Sequence, residues 1–420
     1  MRTPARAAAR MLSGTGLVAA LLLPAAVPVQ AAPPSRPPAA DGKKGQELPA
    51  MPSALAADAD AVNCTPASRE KARKQDWSRQ RLDLDRLHGY GTGAGMTVAL
   101  VDTGVDPDAA GLRGRVTAPG AAGEDCVGHG TFLAGLVAGA GGGGAGLTGV
   151  APAARILALR GTDTRGLPDS DLVVAAVRDA TAAHADVIAV AVALPRRDAE
   201  LTRAVADARR AGALVVAAAT PDPPRSGTGD IPSRTYWPAG EPGVLSVADM
   251  LPGGARPDNA PATGGIDLAA PGAGVVSGGP RGDGHYLGAG ASVAAAYTAG
   301  AAAVVRAARP DDSAAAVARR LTATAYPADI PQLDPYAAVT TVLGEAGGSA
   351  GTGRAANPVA VRDTAAADRA TDRATLFVLL GTGGVLAVLW AVFVLPRARA
   401  RGWRPAGAGA PAGAEAAEED

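Results

Sequence analysis

Metal ligands are scarce in this chain: its 420 residues include two cysteines and four histidines. Two cysteines do not make a metal site and no calcium ligand set is visible, so neither a metal nor a cofactor is expected. Charge of one sign is also missing. Forty basic and 40 acidic residues cancel, which removes any broad electrostatic drive toward nucleic acid or an acidic polymer. Aromatics are 3% of residues while hydrophobics reach 47%, so alanine and valine must fill a core that can still be large. Lysine is nearly absent, four against 36 arginines; with abundant Ala and Gly this reads as the coding bias of a GC-rich genome. Gly and Pro together make up about 21%, below the roughly 25–30% of low-complexity chains. The glycine-rich run Gly141–Gly146 is not followed by Lys-Ser/Thr, so it reads as a turn and not as a phosphate cradle. No internal repeat is visible.

The two ends carry targeting signals. Arg2, Arg6 and Arg10 precede an apolar stretch from Leu17 to Pro28, and Val29-Gln30-Ala31 supplies a small-x-small pattern. Residues 1–31 are therefore expected to be a signal peptide cleaved after Ala31, with an uncleaved N-terminal anchor as the alternative. Thr375 to Leu395 runs 21 residues without a charge, enough at about 1.5 Å per residue to cross a roughly 30 Å hydrocarbon layer. Arg397, Arg399, Arg401 and Arg404 follow, as on a cytoplasmic flank. The expected organisation is a signal peptide (1–31), an N-terminal extension (32–76), a globular domain (77–343), a polar linker (344–374), a transmembrane helix (375–395) and a cytoplasmic tail (396–420). The globular domain would then face the extracytoplasmic side. In that compartment Cys64 and Cys126 are expected to pair, closing a loop of about 62 residues, with two free thiols as the alternative.

Within the globular stretch, short apolar runs recur at Met96–Val101, Arg155–Arg160, Asp186–Val192, Ala213–Ala219 and Val244–Ala248. Helix-like stretches lie at His129–Gly139, Asp169–His184, Asp198–Ala211 and Ser292–Ala308, the last stopped by Pro310. Strands that are apolar without alternation, followed by helices, imply an α/β fold: a parallel sheet between two helical layers.

Three short blocks pair a reactive side chain with small neighbours. Val98-Ala99-Leu100-Val101-Asp102 ends a buried strand on a carboxylate, where an open α/β sheet binds its ligands. Gly128-His129-Gly130-Thr131 starts a helix on an imidazole, and Gly290-Ala291-Ser292-Val293 starts another on a hydroxyl. A serine hydroxyl needs a base to take its proton, and the base needs an acid to fix its tautomer. Among the remaining candidates, His184 reads as a cap or surface residue. His285 reads as structural, with a second base as the alternative. Asp83 and Asp85 read as solvated, as do the tail acids Glu415, Glu418, Glu419 and Asp420.

The order Asp102, His129, Ser292 resembles that of the subtilisin-like serine proteases (subtilases), a resemblance that spans roughly residues 77–343. It implies those three residues as a catalytic triad, with the backbone N–H of Ser292 as one oxyanion donor. The signal peptide, the extension, the C-terminal span and the two cysteines together resemble the mycosins, membrane-anchored subtilases of type VII secretion. That finer resemblance implies an extension tied to the catalytic domain by a Cys64–Cys126 disulfide, a protein or peptide substrate exported by such a system, and contact with its membrane complex. Asp125-Cys126-Val127-Gly128-His129 puts the second cysteine where the tie would fall.

The sequence departs from the family at one chemically important point. After Val215–Ala219 the family has Gly-Asn, whose amide donates to the oxyanion; here the residues are Thr220-Pro221. Proline offers neither a side-chain donor nor an N–H. In subtilisin itself, losing that donor costs about 10²–10³ in kcat. Asp222 would repel an oxyanion when ionised, and Asn259 is an alternative donor that nothing in the sequence places there. Ala291 and Ala296 replace a usual Thr and Pro, and Val187–Leu194 lacks the polar and glycine residues that line the family's cleft. The expectation is a serine endopeptidase, with a catalytically weak or silent protease-fold scaffold as the alternative.

Overall fold

Strand β1 (Thr97–Asp102) is buried from Val98 to its end, as a strand with helices on both faces must be. It lies in a sheet with β2 (Val116–Thr117), β3 (Arg155–Arg160), β4 (Val187–Val190), β5 (Leu214–Ala218), β6 (Leu245–Met250) and β7 (Leu268–Pro271). The order is β2-β3-β1-β4-β5-β6-β7 and every pair is parallel. The computed structural model describes residues 47–55, 63–141, 147–223, 231–343 and 365–401. The expected signal peptide, parts of the extension, most of Gly141–Gly146, most of the linker and the tail beyond 401 lie outside the described residues.

The period of two along each strand builds the layers. Val98 and Leu100 join one core with helices α3 (His129–Ala138) and α6 (Ala291–Ala308). Ala99 and Val101 join the other with α4 (Ser170–Ala182) and α5 (Ala199–Arg210). Two short helices, α1 (Trp77–Arg81) and α2 (Leu84–Leu87), precede the sheet. Aspartates begin the covering helices: Asp169 accepts from the Asp171 and Leu172 N–H groups, and Asp198 from those of Glu200 and Leu201. Such caps contribute about 1 kcal/mol each.

Helix α6 is buried almost throughout, and its small residues let it sit close to its neighbours. A Cβ on Gly300 would come within 2.8 Å of the Val150 side chain. It is the one helix among the described residues with the length and apolarity of a membrane span, and it is 83% buried: a core helix. Antiparallel β8 (Val275–Gly278) and β9 (His285–Gly288) lead into it, and α7 (Ala314–Ala323) and α8 (Pro335–Thr340) follow.

The chain leaves β1 toward β2 and β3, then crosses back to β4 on β1's other side. That reversal opens a crevice beyond the C-terminal strand ends, and Asp102 stands at its edge.

Residues 47–55 and 63–76, which fall in the expected extension, are laid onto this domain. Ala50 bridges Leu287 of β9, Met51 N–H donates to Leu287 O at 2.7 Å, and Leu55 N–H to Arg165 O at 2.7 Å. Cys64 and Cys126 form a disulfide. Beyond it Ser68 N–H donates to the Tyr286 hydroxyl and Ala72 N–H to His285 Nδ1, both across more than 200 residues of chain. The buried Arg79 finishes the wrap with bonds to Val276 O and Thr148 O, each 2.8 Å, and an ion pair with Asp76.

The chain divides at Leu343/Gly344 into two units. In the second, α9 (Ala365–Leu389) runs through a π-helical turn at Trp390–Val394 into α10 (Leu395–Ala400). The apolar stretch expected at 375–395 lies within this run of helix. Phe377, Leu379, Leu380, Val385 and Leu386 are all exposed.

Candidate active site

Three elements deliver three side chains to the crevice. Asp102 ends β1; His129 opens α3 after the left-handed Gly128 (φ 90°); Ser292 lies in the first turn of α6 after Gly290 (φ 129°). A Cβ on Gly130 would fall 2.0 Å from Gly104 O, so α3 can start this close to the β1 end only with glycine there. His129 Nδ1 lies 3.0 Å from both oxygens of Asp102, and His129 Nε2 lies 3.2 Å from Ser292 Oγ. All three residues are buried.

Behind them, the carboxylate of Asp125 holds the start of α3. It accepts from Gly128 N–H (2.7 Å), Thr131 N–H (2.8 Å), Thr131 Oγ1 (2.7 Å) and Thr103 Oγ1 (2.9 Å). Burial pushes its carboxyl above the usual range while these four bonds pull it back. Thr103 Oγ1 in turn accepts from Gly130 N–H at 2.9 Å. Sequence reading passes over Asp125 except as a neighbour of Cys126; the signal for it is the pair of threonines, Thr103 and Thr131, that follow Asp102 and His129 within two residues.

One further side chain sits against both polar groups of Ser292. Thr220 is buried and Pro221 supplies no donor; the next residue, Asp222, enters the site. Asp222 Oδ1 accepts from Ser292 N–H at 3.0 Å, and Oδ2 accepts from Ser292 Oγ at 2.5 Å. Oδ2 also lies 3.2 Å from His129 Nε2. The Ser292 N–H is thus already engaged by a carboxylate. Asn259 is exposed on the loop after β6 and takes no part. Burial acts to lower His129, but the Asp102 charge and hydrogen bond, joined by those of Asp222, outweigh it and hold the imidazole well above its ordinary value.

Of the other candidates, His285 is the hydrogen-bond acceptor for Ala72 N–H, so it belongs to the clamp on the extension. His184 closes α4 in the left-handed region (φ 54°), and Asp83 pairs with Arg86 at the surface. Among the described residues no group of His, Cys, Asp or Glu could hold a metal ion. Ala50–Ser53 of the extension line a groove beside His129 together with Pro223 and Leu287.

The profile of the Subtilase family matches residues 93–372. The chain belongs to the subtilase family. It is 30% identical over 402 residues to Mycosin-3 of Mycobacterium tuberculosis, an alignment covering 77% of this chain and 84% of that protein. It is also 30% identical to Subtilisin E of Bacillus subtilis, covering 68% of this chain and 74% of the other. The structure of the MycP3 protease from the type VII (ESX-3) secretion system superposes with a TM-score of 0.56 at 29% identity, covering 70% of this subtilase and 98% of that chain. A mycosin-type subtilase is a serine endopeptidase, and the parallel three-layer fold is shared with the superposed protease.

Proposed function

We propose that this subtilase hydrolyses peptide bonds with Ser292 as nucleophile, His129 as general base and Asp102 as the group that orients His129. The observation that carries the reading is one imidazole bridging a buried carboxylate at 3.0 Å and a serine hydroxyl at 3.2 Å. Ser292 Oγ attacks the substrate carbonyl as its proton passes to His129 Nε2, and the carbonyl oxygen takes the negative charge. Collapse breaks the C–N bond, and His129 returns the proton to the leaving amine. Water, deprotonated by the same imidazole, then cleaves the acyl ester and regenerates Ser292.

The finer organisation belongs to the same proposal. Residues 1–31 are a signal peptide, 32–76 an extension, 77–343 the peptidase domain, 344–374 a linker, 375–395 a single membrane span and 396–420 a cytoplasmic tail. The exposed apolar side chains of Phe377–Leu386 and the arginines at 397, 399 and 401 support a span in that orientation. The similarity to Mycosin-3 and to the MycP3 protease supports a substrate exported by a type VII secretion system and contact with its membrane complex.

A second reading rests on Asp222. With its carboxylate on both Ser292 groups, the chain could serve as a silent scaffold in that complex. Treating the full-length protein in detergent with a fluorescent fluorophosphonate separates the two. Labelling that vanishes in Ser292→Ala supports the protease; a folded protein that resists the probe at every pH refutes it and leaves the scaffold.

A further inference from the structure

Asp222 follows the Thr220-Pro221 turn at the end of β5, and its side chain is 6% exposed. Its two oxygens take the two groups of Ser292 that acyl transfer needs: the N–H, an oxyanion donor, and the Oγ–H, the bond to be broken. The space it occupies exists because residue 290 is glycine; a Cβ there would stand 2.0 Å from Asp222 Oδ1. Ionised, this carboxylate puts negative charge where negative charge must develop. Uncharged, the same group has an O–H to donate into that place, which Pro221 lacks.

We propose, on the reading above that Ser292 is the nucleophile, that Asp222 is itself a catalytic residue: as the neutral acid it donates its O–H to the oxyanion, and as the carboxylate it plugs the pocket. No bond to Asp222 forms or breaks in this role. The serine proton still travels to His129 and on to the leaving amine, while the Asp222 proton stays on Asp222 and serves as a hydrogen-bond donor.

Proton counting on His129 and Asp222 gives the consequence. With two protons the base is lost. With none, the pocket holds a carboxylate. With one, the proton rests either on His129, giving an imidazolium–carboxylate pair, or on Asp222, giving a neutral base beside a neutral donor. Only the last arrangement is productive, so activity is confined to the window in which the pair holds one proton, and the profile is a bell. The resting geometry is that of the unproductive pair: the serine hydroxyl points at Asp222, and the two carboxylates together hold His129 well above its ordinary value against the opposing effect of burial.

Among the described residues, the groups facing Asp222 are few. Ser292 and the start of α6 face it on one side, and His129 of α3 with Asp102 of β1 behind it on another. Asp249 at the end of β6 is near enough to feel its charge, and Arg256 lies 3.8 Å from Asp249. Burial pushes the Asp249 carboxyl up to about 6, with Arg256 opposing and Asp222 adding to the rise, so its titration needs its own control.

The test is the rate of fluorophosphonate labelling of the full-length protein in detergent from about pH 4.5 to about pH 9, with Ser292→Ala as blank. Wild type should give a bell. Asp222→Asn should lose the alkaline limb, rise to a plateau, and at about pH 8 label about 10²-fold or more faster than wild type. Asp222→Ala should also lose the alkaline limb, since the plug is gone, yet remain about 10²-fold below Asp222→Asn because no donor replaces it. Asp249→Asn should keep both limbs. A wild-type rate that stays level toward alkaline pH overturns the proposal without recourse to any variant, and so does an Asp222→Asn profile with the wild-type shape and height. Ser292-dependent labelling in either case leaves the protease reading standing. Absence of Ser292-dependent labelling in folded wild type and in folded Asp222→Asn overturns the protease reading as well.

Discussion

Replacing Cys64 and Cys126 together by serine should lower the melting temperature of the catalytic domain by roughly 7 °C, and the figure follows from chain entropy. The disulfide closes a loop of 62 residues. Loop-closure entropy for that length gives about 4 kcal/mol at room temperature. Unfolding entropy near 2.1 cal/mol/K per residue, over roughly 280 folded residues, is about 0.6 kcal/mol/K, and the quotient is the expected shift. The loss falls mainly on the unfolded chain, because the native contacts around the bridge do not need it. Thr65 N–H still reaches Cys126 O (3.0 Å), Thr65 Oγ1 still reaches Val127 O (2.6 Å), and Arg281 still reaches Thr65 O (2.8 Å). For the same reason the variant, kept cold and folded, should label with fluorophosphonate as wild type does, since none of the four bonds on Asp125 passes through sulfur. Near-ultraviolet circular dichroism against temperature reads the shift. A drop under about 2 °C would refute the entropic account, and a lost signal at low temperature would show that the bridge holds the native state itself.

Three further outcomes are expected. Asp249 has a folded value near 6 against an ordinary 3.8, so its contribution to stability is complete below 3.8 and is lost as pH rises through about 6. Asp249→Asn should therefore gain on wild type between those limits by up to about 3 kcal/mol, and melting curves that run parallel across that range would contradict the burial argument. His285 is held below its ordinary 6.5 by burial, then by Arg79 and Lys71, so the clamp it forms with Ala72 is at full strength above 6.5 and weakens as pH falls through the lowered value. Limited proteolysis should cut the 63–76 segment faster on the acid side, and His285→Gln should flatten that dependence. Asp169→Ala and Asp198→Ala should each cost about 1 kcal/mol in urea titrations; a change near zero would mean the caps add nothing to packing.

Much of this is legible in the residues, for a physical reason. Strands such as Val187–Val190 and Leu214–Ala218 are buried on both faces, so they read as short unbroken apolar runs, and the helices between them begin at Asp169 and Asp198, which announce themselves as caps. The antiparallel pair Val275–Gly278 and His285–Gly288 escapes a reading of the sequence. Its strands are four residues long, half glycine, serine and histidine, and are held by the isolated bridge from Ala50 and by the Tyr286 hydroxyl, which accepts from Ser68 N–H. The alanine-rich Ser292–Ala308 stretch reads as a helix, though composition alone does not tell a core helix from a span; its burial against Val150 and β4–β7 decides it. Asp222 stands out in the sequence only as a neighbour. Its place depends on where Thr220-Pro221 sends the backbone and on the open space over Gly290, neither of which a linear sequence displays.

The two carboxylates that flank His129 differ in what their hydrogen bonds are made of. Asp102 accepts from Thr103 N–H at 2.6 Å, a scaffold group untouched by the reaction, and from His129 Nδ1, the nitrogen that keeps its proton throughout. Among the described residues, the bonds to Asp222 come instead from the reacting groups themselves: Ser292 N–H, Ser292 Oγ and the proton-carrying Nε2 of His129. A carboxylate of the first kind can stay charged through the cycle, because no step asks for its donors. One of the second kind competes with substrate for each of them, and a peptide carbonyl can enter only as those bonds are released. The missing asparagine is in this light an exchange of a permanent donor for one that depends on a proton, and the enzyme's activity becomes a reading of its surroundings as well as of its substrate.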